Sequence, residues 1–405
     1  MNSTPETFNR VFAIVIDSFG IGDLPDHSPL RDPGSDTWGH IDETEGPLQL
    51  KNLMHLGFGS LHTPVKTQPD PNPVGVAARV NEESLGKDTI TGHWEMMGIV
   101  TKEPFIVFTD TGFPAELIAE LEEKTGHTVI GNKAASGTEI LKELAHEEIE
   151  SGSQKIIVYT SADSVLQICG CEQTMGLEEL YRICEIAREI TMKPEWKVAR
   201  IIARPYIEKE DGTFERTASR RDYAVAPPKR SVLNLLKDHG LDVISIGKIS
   251  DIFHGEGITR ALHSNSSDHG MEQTIKLARE DFHGLAFVNL VDFDAKWGHR
   301  RNPEGYAREL ENFDVRLGGL MKELKEDDLL ILCADHGNDP TYSGTDHTRE
   351  RVPLLFYSPG MTKGLHVEDQ NGFGCIGATI LDNFSIEKPD SLSGTSLLKE
   401  VHQAF

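Results

Sequence analysis

Three short apolar runs, at residues 11–16, 286–291 and 329–333, each stop within three residues of a carboxylate. The first ends at Asp17, the second at the pair Asp292 and Asp294, the third at Asp335. An apolar run of five or six residues bounded by polar signals reads as a strand buried on both faces of a parallel sheet. In open α/β sheets, ligands gather outside the carboxyl ends of the strands. Three such ends carrying acid groups therefore restrict the chain to a sheet with one functional edge.

The surrounding segments fit that reading. Helical patterns at 231–236, 271–281 and 303–324 alternate with strands at 241–246, 286–291, 329–333 and 352–357. This rhythm predicts a mostly parallel sheet covered by helices on both faces. Residues 23–75 are rich in Pro, Asp and Gly, and 48–56 is the expected short helix there. Between 102 and 222 a separate alternation runs: helices at 114–124, 138–150 and 177–190, strands at 156–159 and 198–203. That block is expected to form a smaller inserted α+β domain, with residues 1–101 and 223–405 as the core. The Pro227-Pro228 segment reads as the linker back.

Composition narrows the partners. The chain has 405 residues and a formal net charge of −25. Phosphate contacts to nucleic acid require clustered Lys and Arg, so neither a nucleic-acid partner nor an anionic membrane surface is expected. A small phosphorylated substrate is compatible, because bound metal ions add positive charge that a residue count omits. Five cysteines form no paired framework, and no signal-peptide pattern precedes Arg10, so a reducing cytoplasmic location is expected.

The strand ends add three histidines to their carboxylates: His299 after Asp294, His336 directly after Asp335, and His347 eleven residues later. Three Asp and three His supply two three-ligand sets, the composition of a two-metal phosphoryl-transfer site. Mixed oxygen and nitrogen donors favour Mn, Zn or Fe over Ca. Such a site needs a nucleophile. Thr89 and Thr91, between Gly86 and Gly92 and beside Lys87 and His93, are both candidates, since metal coordination activates a hydroxyl.

Five blocks carry a resemblance. They are Asp17-Ser-Phe-Gly-Ile-Gly, Gly34-Ser-Asp-Thr-Trp-Gly-His-Ile, Gly86-Lys-Asp-Thr-Ile-Thr-Gly-His-Trp-Glu, Asn289-Leu-Val-Asp-Phe-Asp with Gly298-His-Arg-Arg, and Ala334-Asp-His-Gly-Asn-Asp-Pro with Asp346-His-Thr-Arg-Glu. Together they resemble bacterial phosphopentomutases, of the alkaline-phosphatase-like metalloenzyme superfamily. The resemblance implies an α/β core of that type with an inserted cap, two Mn2+ ions, and activation by a sugar bisphosphate such as glucose 1,6-bisphosphate. It implies that Asp17, Asp335 and His336 hold one ion, that Asp294, His299 and His347 hold the other, and that Thr89 is the phosphorylated residue. In the insert, Ser161, Asp163, Arg200, Ile202 and Arg216 match positions that contact the sugar phosphate. The chain departs from the family pattern at Cys171, where a His usually precedes the Glu.

Overall fold

The computed structural model describes residues 7–26, 28, 30–161 and 163–405. The chain divides into two compact units, one formed by 1–104 and 226–405 and the other by 105–225.

The larger unit is built on β1 (Arg10–Ile16), β2 (Gly75–Asn81), β9 (Asp242–Ile246), β10 (Arg260–Leu262), β11 (Gly284–Leu290), β12 (Asp328–Cys333), β13 (Val352–Tyr357), β14 (Gly364–His366) and β15 (Gln370–Asn371). They form one sheet in the order β10-β9-β11-β1-β12-β13-β2-β14, with β15 also on β2. From β10 to β12 every pairing is parallel, whereas β12–β13 and β13–β2 are antiparallel. Every residue of β1, β11 and β12 is buried, as expected for strands covered on both faces.

The three central strands are held level at their start. Arg10 opposes Asp328 in the β1–β12 register, and its guanidinium grips that carboxylate with two bonds of 2.8 and 2.6 Å. The same side chain donates to the carbonyls of Ala278 and Glu280, so a fully buried cation has partners on every side. With this end fixed, Ile16 lies beside Leu290 and Val15 beside Cys333. The residues that follow must then emerge at one edge.

The smaller unit has β3 (Thr128–Ala134), β4 (Lys155–Thr160), β5 (Val165–Cys171), β6 (Arg200–Glu208), β7 (Phe214–Arg216) and β8 (Arg221–Ala224). Their order is β3-β4-β5-β6-β7, with β8 also on β6. Alternation gives the sheet two apolar faces. Ile156, Val158, Leu166, Ile168 and Ile201 share a core with Leu117 and Leu121 of the helix Ala115–Thr125 and with Leu180 and Ile183 of the helix Leu177–Ile190. Ile157, Tyr159, Cys169, Cys171 and Tyr206 pack on Ile140, Leu141 and Ala145 of the helix Gly137–Glu150. Cys171 is thus a buried strand residue whose thiol lies 3.5 Å from Gln173 Oε1.

Several elements lie outside the sequence expectations. The short helix expected over 48–56 spans Lys51–His55, and a second helix, Thr37–Glu45, precedes it. Its sequence lacks an apolar stripe; it is nucleated by Asp36, which accepts a bond from Gly39 N, and by burial of Trp38 and Ile41. Strand β2 contains Ala77, Ala78 and Arg79 rather than an apolar run, and exists because β13 and β14 flank it. Strand β5 is interrupted by Gln167 and Gly170 yet is buried throughout.

Candidate active site

Asp17, Asp335 and His336 lie where β1 and β12 end. His336 Nε2 is 3.5 Å from Asp17 Oδ1 and 3.4 Å from Asp335 Oδ2, and all three side chains are buried. Beside them, His299 Nε2 is 3.1 Å from Asp294 Oδ2, and His347 Nε2 is 3.3 Å from Asp294 Oδ1. The two imidazole nitrogens of this second group are 3.1 Å apart. The groups adjoin: the rings of His336 and His347 stack at 3.9 Å, and the donor atoms of Asp294, His336 and His347 all lie within 4.8 Å of one another.

The second group comes from an irregular element. A π-helical turn, Phe293–Gly298, follows β11 and carries Asp294, with His299 as its cap. Such turns are rare and occur often at functional sites. The turn separates the two carboxylates of the sequence pair. Asp292 faces away, accepting from Ser267 N at 3.0 Å and Lys296 Nζ at 2.9 Å, while Asp294 faces the histidines.

The threonines also part. Thr91 is buried, and its hydroxyl donates to Asp88 Oδ2 at 2.6 Å, part of the cap on the helix Thr89–Met96. Thr89, the first residue of that helix, is only partly buried and holds Oγ1 3.2 Å from His336 Nε2.

The cluster suits divalent cations on three grounds. First, each imidazole has its Nδ1 beside a main-chain carbonyl: His336 at Gly337 O (2.9 Å), His299 at Thr345 O (2.7 Å), His347 at Lys87 O (2.9 Å). A carbonyl only accepts, so Nδ1 carries the proton and each Nε2 presents a lone pair to the cluster. Second, Asp17 Oδ1 is buried and accepts no hydrogen bond from any described residue. Third, the charges are crowded. Burial, then the nearby charges of Asp335 and Asp294, push the Asp17 carboxyl well above its usual range. Burial lowers His336, keeping its imidazole neutral. Oxygen and neutral nitrogen donors around buried negative charge are a transition-metal environment.

A shell of side chains that the sequence did not single out orients these groups. Asn289 Nδ2 donates to Asp17 Oδ2 at 2.8 Å, and Asn338 Nδ2 to Asp294 Oδ1 at 2.7 Å. Ser18, with φ of 68°, donates its N–H to Asp335 Oδ1 at 3.0 Å and bonds Tyr306 Oη through its hydroxyl. His93 Nδ1 donates to Thr89 O at 2.8 Å and lies 3.3 Å from Asp335 Oδ2. Its spacing of four from Thr89, one helical turn, was the available signal.

In the smaller unit, Ser161 and Asp163 follow β4, and Arg200 Nη2 is 3.3 Å from Asp163 Oδ2. Ile202 is two residues further along β6 on the same face, 3% exposed. Arg216 lies on β7 opposite Tyr206, exposed and further along that face. The Arg216 guanidinium reaches back along that face: its Nη1 and the Tyr159 hydroxyl both lie within 2.9 Å of where a Cβ on Gly137 would stand.

A metalloenzyme superfamily model matches residues 9–388, so the fold and the site define a chain of that class. Among individual proteins, the phosphopentomutase of Agathobacter rectalis is 59% identical, aligned over 97% of this chain and 99% of its own length. That of Clostridium perfringens is 58% identical over the same shares. Among solved structures, the PH0037 protein from Pyrococcus horikoshii is similar with a TM-score of 0.49 and 12% identity, covering 95% of this chain and 99% of its own. The chain belongs to the phosphopentomutase family, enzymes of the isomerase class. No helix of the described residues is long and apolar enough to cross a membrane.

Proposed function

We propose that the chain interconverts α-D-ribose 1-phosphate and ribose 5-phosphate, and the 2-deoxyribose pair, through a phosphorylated Thr89 and a pentose 1,5-bisphosphate. The observation that carries this reading is the Thr89 hydroxyl at 3.2 Å from His336 Nε2, beside both three-residue groups.

Asp17, Asp335 and His336 would hold one divalent ion, and Asp294, His299 and His347 the other, with Mn2+ as the physiological metal. Bound there, such ions neutralise phosphoryl oxygens and lower the pKa of a nearby hydroxyl. The chain's own residues do the rest. The phosphoryl group on Thr89 Oγ1 passes to the free hydroxyl of the pentose monophosphate, whose proton ends on the threonine. The resulting bisphosphate reorients and returns its other phosphoryl group to Thr89, and the proton goes back to the sugar oxygen. Thr89 sits at the positive end of its helix, which favours a phosphoryl group there. In this reading residues 102–222 act as a cap domain, with Ser161, Asp163, Arg200, Ile202 and Arg216 binding the sugar phosphate and excluding water. Glucose 1,6-bisphosphate would prime the threonine. The setting is nucleoside catabolism and salvage in the cytoplasm.

The test is phosphopeptide mapping after incubation with glucose 1,6-bisphosphate. The label is expected on the peptide containing Thr89. Release of inorganic phosphate from ribose 5-phosphate, with no ribose 1-phosphate formed, would replace the mutase by a phosphatase.

A further inference from the structure

Gln167 is a buried polar residue, 4% exposed, on the central strand β5 of the smaller unit. In the sheet it stands between Tyr159 on β4 and Ile202 on β6. Its amide orientation follows from its neighbours. Arg204 Nε lies 3.0 Å from the amide atom Oε1, and a guanidinium can only donate, so that atom is the carbonyl oxygen. The Tyr159 hydroxyl donates to the same oxygen at 3.1 Å. Burial pushes the Tyr159 phenol up, which keeps this donor protonated. Both lone pairs of Oε1 are therefore taken.

The amide nitrogen is left facing Ser161 Oγ at 3.4 Å. An amide N–H only donates, so Ser161 Oγ is the acceptor in this bond. Among the described residues it is the hydroxyl's one hydrogen bond. The hydroxyl has a single proton, and that proton is directed away from Gln167.

We infer that Gln167 is a positioning residue that sets the polarity of Ser161, making its hydroxyl a hydrogen-bond donor to an oxygen of the bound pentose phosphate. The inference rests on the function proposed above and names one recognition element within it. Arg204 and Tyr159 anchor the amide, Gln167 fixes the serine, and the serine meets the ligand. The acceptor is a sugar hydroxyl oxygen or a phosphoryl oxygen; both offer the lone pair that this geometry demands.

The decisive experiment is a double-mutant cycle of Gln167→Glu and Ser161→Ala. Gln167→Glu keeps size and keeps the acceptor for Arg204 and Tyr159, but the introduced carboxylate accepts from the serine and turns its proton inward. KM for ribose 5-phosphate should rise about tenfold, the worth of one hydrogen bond, with kcat within about twofold. Ser161→Ala should raise KM similarly, and the double variant should be no worse than Ser161→Ala alone. A Gln167→Glu protein with unchanged KM overturns the inference, and so do KM increases that multiply in the double variant. If the carboxylate prevents folding, Gln167→Met takes its place in the cycle: it removes the donor to Ser161 and leaves the serine proton free to rotate, so KM should still rise, by less than with Gln167→Glu, and the rise should vanish in the Ser161→Ala background. Calorimetric binding of ribose 5-phosphate to the same variants gives the coupling without turnover. An inactive wild-type chain would therefore sink the mutase reading, while the binding cycle still decides the direction of the Ser161 hydroxyl.

Discussion

His347 and Lys87 are 260 residues apart in the chain, yet the imidazole Nδ1–H of one donates to the main-chain carbonyl of the other at 2.9 Å. The bond ties the loop that carries Thr89 to a histidine of the second three-residue group. A second contact runs through His93, whose Nδ1 donates to Thr89 O at 2.8 Å and stands 3.3 Å from Asp335 Oδ2. The segment from 87 to 93 thus touches both groups, and the position of the threonine is coupled to the geometry of the six candidate ligands.

Replacing Thr89 by Val removes the hydroxyl and keeps the shape. Turnover of ribose 5-phosphate should fall by at least ~10³-fold, as when other nucleophiles are deleted. Bound metal, measured by mass spectrometry, should stay at the wild-type level. Retention of more than a tenth of the activity would exclude Thr89 as the nucleophile.

Gly92 is the point where the nucleophile helix touches the end of β12. A Cβ built there would lie 2.3 Å from the Asp335 carbonyl oxygen and 2.9 Å from Asp335 Cβ. Backbone cannot yield as a flexible side chain does, so Gly92→Ala should push the helix off by about 1 Å. A misplacement of that size costs on the order of 10²-fold in rate. A kcat within threefold of wild type would show that the contact has slack.

Chelation should destabilise as well as inactivate. Asp17, Asp294 and Asp335 repel one another inside a buried site, and a cation that binds only the folded state adds stability by mass action. Treatment with a chelator should lower the melting temperature, and Mn2+ should restore both properties. Equal melting curves before and after chelation would argue against resident metal.

Breaking the buried Arg10–Asp328 pair should cost about 3–5 kcal/mol, because it leaves an unpaired charge in the core. Arg10→Met is the variant, and urea unfolding the measurement. A loss below ~1 kcal/mol would mean that water or a rearranged neighbour satisfies Asp328.

His62 provides a pH signature. Burial works to lower its pKa, but the hydrogen bond to Asp36 at 2.7 Å and that carboxylate's charge prevail, and the value is raised. The folded state then holds the proton more tightly than the unfolded chain. The added stability is complete below about pH 6.5, the unfolded value, and disappears as pH rises through the folded value. The stability difference between wild type and His62→Asn should be largest below about pH 6.5 and shrink as the pH rises above it. An NMR titration placing His62 at or below its ordinary value would contradict this.

Much of the central sheet was legible because its strands are buried on both faces. Such strands must be apolar without interruption, and their ends show as abrupt changes to Asp17, Asp292 and Asp335. Strands β2 and β5 were not legible. Their residues are compatible with several states, and pairing with neighbours distant in sequence selects the extended one.

At the site, residue types and strand ends named the six candidate ligands, and the resemblance chose Asp294 over Asp292 and Thr89 over Thr91. Sequence alone could do this much because metal chemistry demands particular donor atoms, and those are written in the residue identities. Where each donor points was decided by the fold. A π-helical turn rotates Asp292 away from Asp294, carbonyls from remote loops set the tautomers of His299 and His347, and Asn289, Asn338 and Ser18 orient the carboxylates. Those partners are tens to hundreds of residues away, and hydrogen-bond direction is a property of three-dimensional neighbours that no local pattern encodes.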